Sequence, residues 1–197
     1  MENVIKTKSI NMLIACTSSL LIFFANAEEG AVNPLTLEAR TLAKAFGGDL
    51  KAVLKTSMKS GGPESALQVC NLQAGAIAHK SAISSGWNIG RTALRVRNIS
   101  NAPDEWELNT LRQFEQRKEA EETLKHMEYS EVVKTGEKSV YRYMKAIPTG
   151  EECTMCHGNN IDEKISGKIK LLYLNDQATG FNVGDIRGAF TLEKTLN

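Results

Sequence analysis

Apolar residues recur at helical spacing from residue 35 to 59, at Leu35, Leu42, Ala45, Phe46, Leu50, Val53 and Leu54. Gly47-Gly48 weakens the middle of this helix, and Gly61-Gly62-Pro63 ends it. Pro63 suits the first turn of a second helix. Over residues 63–80, Ala66, Leu67, Cys70, Ala74, Ile77 and Ala78 form one apolar stripe, which points Cys70 inward. Ser85-Gly86 breaks the pattern. From 87 to 97 the residues alternate, with Ile89, Arg91, Ala93, Arg95 and Arg97 on one side and Thr92, Leu94 and Val96 on the other. That reads as a strand with one apolar face.

Asn101-Ala102-Pro103-Asp104 marks a turn and helix start. Residues 104–126 read as a charged amphipathic helix carrying Trp106, Leu108, Leu111, Phe114 and Leu124. Residues 128–134 and 138–147 read as two strands joined at Thr135-Gly136-Glu137. Residues 162–174 are a short helix, 181–184 a loop and 185–193 a closing strand. Helices, a strand, a helix and further strands in this order predict an α+β domain with an antiparallel sheet, flanking helices and an N-terminal helical segment.

The first residues do not belong to that pattern. Lys6 and Lys8 form a positive region, an apolar run extends from Met12 to Ala25, and Ala25-Asn26-Ala27 fits the small-x-small cleavage rule. The run is short for a membrane span. The expectation is a secretory signal over residues 1–27, cleaved after Ala27, then a single domain over 28–197 whose contact with a membrane is limited to the signal. An uncleaved anchor, and lipoprotein processing at Cys16, are the weaker alternatives.

The 197 residues allow one domain or two small ones, and 42% hydrophobic content is enough for a core. Loss of Glu2, Lys6 and Lys8 with the signal leaves equal numbers of basic and acidic residues. Nothing in that balance points to nucleic acid. Of the 4 cysteines, Cys70, Cys153 and Cys156 remain. An odd number in an exported chain argues against a disulfide framework.

Cys153-Thr154-Met155-Cys156-His157 is the attachment sequence for haem c. Two sulfurs at this spacing reach the two vinyl groups along one porphyrin edge, and the histidine that follows is held beneath the iron. Gly158 lets the chain leave the haem face without a side-chain clash. A redox dithiol would call for a thioredoxin-like βαβ context, which the pattern lacks. A zinc site would need a fourth ligand, and adjacent Cys and His rarely close one tetrahedron. Export agrees with covalent haem, which is attached outside the cytoplasm.

The order of ligands is unusual. Residues 158–197 contain no Met, His or Cys, so a distal ligand of those types comes from upstream, among Met58, Cys70, His79, His126, Met127 and Met144. Cys70 is the sharpest candidate, being the one mature cysteine outside the motif and lying on a buried stripe. A small buried hydrophobe is its ordinary alternative. His79, His126 and Met127 are expected to face water, and Met58 and Met144 to sit in the core. Arg91 and Arg95 are candidates to hold a haem propionate or a small anion, since arginine pairs with carboxylates through two parallel bonds. A solvated strand face is the alternative for them.

Several segments occur in a telling order: Ala66-Leu67-Gln68-Val69-Cys70, Ile89-Gly90-Arg91-Thr92, Arg95-Val96-Arg97-Asn98, Asn101-Ala102-Pro103-Asp104-Glu105-Trp106-Glu107, the haem motif, and Gly184-Asp185-Ile186-Arg187-Gly188-Ala189. Together they resemble the periplasmic c-type haem domain of PAS-like fold, long catalogued as a domain of unknown function, over about residues 35–195. The resemblance implies a PAS-like sheet and His/Cys axial ligation, with the proximal histidine on His157 and the distal cysteine on Cys70. The chain departs from the family at Asn98-Ile99-Ser100-Asn101, where the family carries Asn-Pro. Family members often precede a kinase or cyclase transmitter. With Asn197 last, output through a partner or an electron is expected here.

The function expected is that of a periplasmic monohaem c-type cytochrome in redox or gas sensing or electron transfer. It would carry covalent haem c and iron, meet a redox partner protein or a membrane sensor, take a diatomic gas as ligand, and not act as an enzyme. A small haem enzyme such as a peroxidase is the alternative. It would need an acid–base histidine, and only His79 and His126 are spare.

Overall fold

The computed structural model describes Met1 and residues 32–196; the expected signal segment, with Cys16, lies outside them. A long helix α1 (Pro34–Ser85) opens the fold. Asn33 caps it by accepting the Leu35 N–H at 2.8 Å, and Pro34 occupies its first turn. Gly61 (φ −152°) and Gly62 (φ 67°) leave helical geometry and divide α1 into two arms, with Pro63 opening the second. Only glycine takes the Gly62 conformation without strain, so the break falls where the glycine pair predicts it. Gly86, at φ 71°, closes the second arm with its N–H on the Ala82 carbonyl.

Four strands follow: β1 (Asn88–Thr92), β2 (Glu128–Thr135), β3 (Lys138–Pro148) and β4 (Ile186–Leu196). All pair antiparallel in the order β1-β4-β3-β2, so the last strand inserts between the first and third. The two-residue period of the strands separates two cores. On one face Tyr141, Tyr143, Leu192, Ile89 and Trp87 meet Ala39, Ala43 and Phe46 of the first arm of α1. On the other, Met144, Ala146, Ala189 and Ile186 meet Leu111 and Phe114 of α2 (Glu105–Glu119). Two short helices, α3 (Glu151–His157) and α4 (Glu163–Leu172), lie between β3 and β4. Ile165 and Ile169 of α4 pack on Leu67 of the second arm of α1. Among the described residues no helix is long and apolar enough to cross a membrane. The α+β class and the antiparallel sheet are as expected.

Three expectations are corrected. The strand anticipated over 87–97 stops at Thr92. Gly188 of β4 approaches so closely that a Cβ there would lie 2.4 Å from the Thr92 carbonyl oxygen, and beyond Thr92 the chain turns in bends instead of pairing further. Alternation therefore ends: Leu94 and Arg95 are exposed, while Val96 and Arg97 are buried. The helix anticipated to residue 126 ends at Glu119, followed by Glu121 at φ 62°. Met127, expected to face water, is fully buried: the chain reverses after α2 and carries it under the helix, where its carbonyl accepts the Ala146 N–H.

Candidate haem site

Helix α3 is about two turns long, and its seven residues present Cys153, Cys156 and His157 together. The Cys153 thiol receives the Gly150 N–H at 3.3 Å. Cys70, Cys153 and Cys156 are all free, half-buried thiols. Gly158 leaves the helix extended, with its N–H on the Thr154 carbonyl at 2.8 Å.

The imidazole of His157 is held from a loop, residues 176–181, that no sequence pattern singles out. His157 Nδ1 lies 2.6 Å from the Ala178 carbonyl oxygen. A carbonyl oxygen can only accept, so Nδ1 carries the proton and Nε2 keeps its lone pair. Phe181 stands edge-on to the ring, with centroids 6.2 Å apart. The Phe181 N–H bonds the His157 carbonyl at 2.9 Å, and the Gly180 N–H bonds the Gly158 carbonyl at 2.9 Å. Burial, then the charges of Arg187 and Arg97, push the imidazole down to about 2, against the Ala178 bond. His157 is therefore neutral, the state in which a histidine can bind a metal.

Around it stand three guanidinium groups and one carboxylate. Arg97 is paired with Asp176, Nε to Oδ1 at 3.1 Å, and donates to the carbonyls of Cys156 at 2.6 Å and Ala178 at 3.1 Å. Arg187 is pushed down to about 10, first by burial, then by Arg97 and Arg91. Its Nε is buried and finds no acceptor among the described residues. Arg91 is lowered by burial, partly offset by the nearby Cys70 and Tyr173. This excess of positive charge, with an orphaned buried N–H, fits a ligand that carries carboxylates.

Cys70 sits one turn after Leu67 on the second arm of α1. Leu67 belongs to the cluster that Cys156 and Tyr173 border. Burial raises the Cys70 thiol, and Arg91 and Arg97 oppose that rise. The Cys156 thiol is likewise raised by burial, with Cys70 and Cys153 adding to the rise. Cys70, Cys156, Arg91 and Arg97 thus share one neighbourhood. Among the other ligands considered, Met127 and Met144 are sealed in the core beneath α2, His79 and His126 are exposed, and Met58 is half-buried. Among the described residues no group of three or more His, Cys, Asp or Glu is placed to hold one metal ion.

Of the two arginines singled out from sequence, Arg91 lies near Cys70, whereas Arg95 is exposed. Its guanidinium donates to the Thr179 carbonyl at 2.8 Å and stacks 3.6 Å from the Phe181 ring centroid. Arg95 therefore braces the 176–181 loop. Arg97, Asp176, Ala178, Phe181 and Arg187 escaped the sequence reading as site residues. Arg97 and Arg187 stood inside the resembling segments, but Ala178 acts through its main chain, which leaves no mark in residue type.

No curated protein sequence matches the chain. The crystal structure of the cyanobacterial haem protein Tll0287 is similar, with a TM-score of 0.61 and 25% identity, covering 81% of this chain and 94% of that one. The sequence model of the Tll0287-like family matches residues 25–194, and the chain belongs to that family.

Proposed function

We propose that the chain is a monohaem c-type cytochrome working in the periplasm, in redox or gas sensing or in electron transfer. Cys153 and Cys156 would hold the haem covalently, and His157 Nε2 and the Cys70 sulfur would bind its iron. The observation that carries this reading is the bond from His157 Nδ1 to Ala178, which fixes the ligating tautomer beside two free thiols of a haem-attachment motif. The similar protein Tll0287 is itself described as a haem protein, which supports the cofactor.

Haem would supply one-electron chemistry there and could take a diatomic gas. His157 is oriented by the Ala178 carbonyl and the Phe181 edge. Arg91 and Arg187 offer guanidinium groups to propionates. A Cys70 thiolate donates charge and favours the ferric state. In a sensor Cys70 would be the ligand that responds to a change of redox state, and the Gly61–Gly62 break would give its arm of α1 a place to flex. Signal or electron then passes to a redox partner protein or a membrane sensor.

The test compares ferric electron paramagnetic resonance and optical spectra of haem-loaded wild type, Cys70→Ala and His157→Ala. A low-spin thiolate signature in wild type that Cys70→Ala loses is the expected result. Identical spectra for wild type and Cys70→Ala overturn thiolate ligation. Carbon monoxide binding to the reduced wild type then separates a sensor, which takes the gas, from a carrier that stays six-coordinate.

A further inference from the structure

We infer that Arg97 is a positioning residue for the iron ligand, acting through the Ala178 carbonyl to set both the orientation of His157 and the electron density that its Nε2 can give. The inference rests on His157 being that ligand.

Two donors converge on one oxygen. The Ala178 carbonyl accepts His157 Nδ1 at 2.6 Å and Arg97 Nη2 at 3.1 Å. The carbonyl's two lone pairs accept both, while Arg97 Nη2 shares its two hydrogens among Ala178, Cys156 and Asp176 Oδ2. The two bonds to the Ala178 carbonyl are coupled. A guanidinium on the second lone pair draws density from the oxygen, which then pulls less on the imidazole proton. A proton left more fully on Nδ1 makes Nε2 a weaker donor. That favours the reduced metal, as does a buried positive charge close by.

The same guanidinium sits on both sides of His157. Its Nη2 also donates to the Cys156 carbonyl at 2.6 Å, one residue before the ligand. That carbonyl belongs to the last turn of α3, where helix oxygens lack partners within the helix and a cation is favoured. Arg97 is aimed in turn by Asp176, which meets it through Oδ1 at 3.1 Å and Oδ2 at 3.2 Å. Asp176 Oδ1 also accepts the Ala178 N–H at 2.9 Å. Carboxylate, guanidinium and carbonyl thus lock one another, and both partners of the pair are 9% exposed. Net stability is a weak reason for a buried pair of this kind; the geometry accounts for it as a brace around the ligand. Lysine keeps the charge but lacks the fork that reaches an acid and two carbonyls together.

The experiment measures reduction potential and ferric low-spin g-values of haem-loaded wild type, Arg97→Gln and Arg97→Lys, with melting curves alongside. Arg97→Gln is expected to retain covalent haem, to have a more negative potential and to show altered g-values. Arg97→Lys is expected to recover most of the potential while its g-values stay altered. An Arg97→Gln protein that melts earlier yet keeps the wild-type potential and g-values overturns the inference and leaves Arg97 a folding residue. If Arg97→Gln does not accumulate with haem, Arg97→Lys decides: wild-type g-values in it overturn the inference, and altered ones support it. His157→Ala separates this from the underlying assignment. If that variant keeps the wild-type spectrum, the ligand assignment fails, and this inference with it; if it loses the low-spin signature while both Arg97 variants match wild type, only this inference fails.

Discussion

A single backbone oxygen, that of Ala178, selects the tautomer of His157, and one glycine hydrogen lets the chain turn away after it. The freedom expected at Gly158 was from the haem face. The structure adds a nearer reason: a Cβ there would lie 2.5 Å from the Thr154 carbonyl oxygen of its own helix. Backbone cannot yield as a flexible side chain does, so Gly158→Ala is expected to cost about 1–3 kcal/mol. Urea unfolding of the variant checks the number, and its yield of covalent haem should fall with it, because the strain sits next to His157. The motif Cys153-Thr154-Met155-Cys156-His157 was legible because its chemistry lives in side chains at fixed spacing. The partner of His157 was not, since any residue at position 178 offers the same carbonyl.

Helix α2 shows how an element is anchored. Asp104 accepts the Glu107 N–H at 2.8 Å, and the Glu107 carboxylate returns a bond to the Asp104 N–H at 3.0 Å. Arg142 of β3 reaches Asp104 at 2.7 Å, and Thr191 of β4 donates to Glu107 at 2.6 Å. Cap and sheet are thereby joined. Asp104→Ala is expected to destabilise the fold by about 1 kcal/mol, read as a lower urea midpoint with unchanged slope. The start of α2 was visible in Asn101-Ala102-Pro103-Asp104; its end was not, because nothing local forbids the helix from continuing past Glu119. The two arms of α1 were legible for the opposite reason, since Gly61-Gly62-Pro63 breaks a helix in any surroundings. Strand β1 was read too long: its alternation continues to Arg97, but an approaching strand ended the ladder at Thr92.

Across the whole molecule, Glu128 of β2 ties three elements. It accepts Arg40 Nε of α1 at 2.7 Å and the Tyr143 hydroxyl of β3 at 2.8 Å. Burial alone would raise its carboxyl, but the bonds from Arg40 and Tyr143 outweigh that and hold it below the usual range. A carboxyl depressed in the fold contributes stability that is complete above its unfolded value, about 4.3, and is lost as pH falls through the folded one. Wild type should therefore lose stability below about pH 4. Glu128→Gln should be weaker by roughly 1 kcal/mol at pH 7 and show a flatter decline in acid, measured by urea unfolding from pH 7 to 3. An equally steep decline would move the acid sensitivity elsewhere. Taken alone, the sequence determined what needs only local chemistry: the helix break at Gly61-Gly62, the alternating strands, the Cys153-to-His157 motif and the stripe bearing Cys70. Tertiary structure alone decided the insertion of β4 between β1 and β3, the burial of Met127, the separation of Arg95 from Arg91, and the closing of the 176–181 loop around His157. These depend on groups as far as 105 residues apart meeting through main-chain atoms and desolvated charge, and neither leaves a periodicity in the chain.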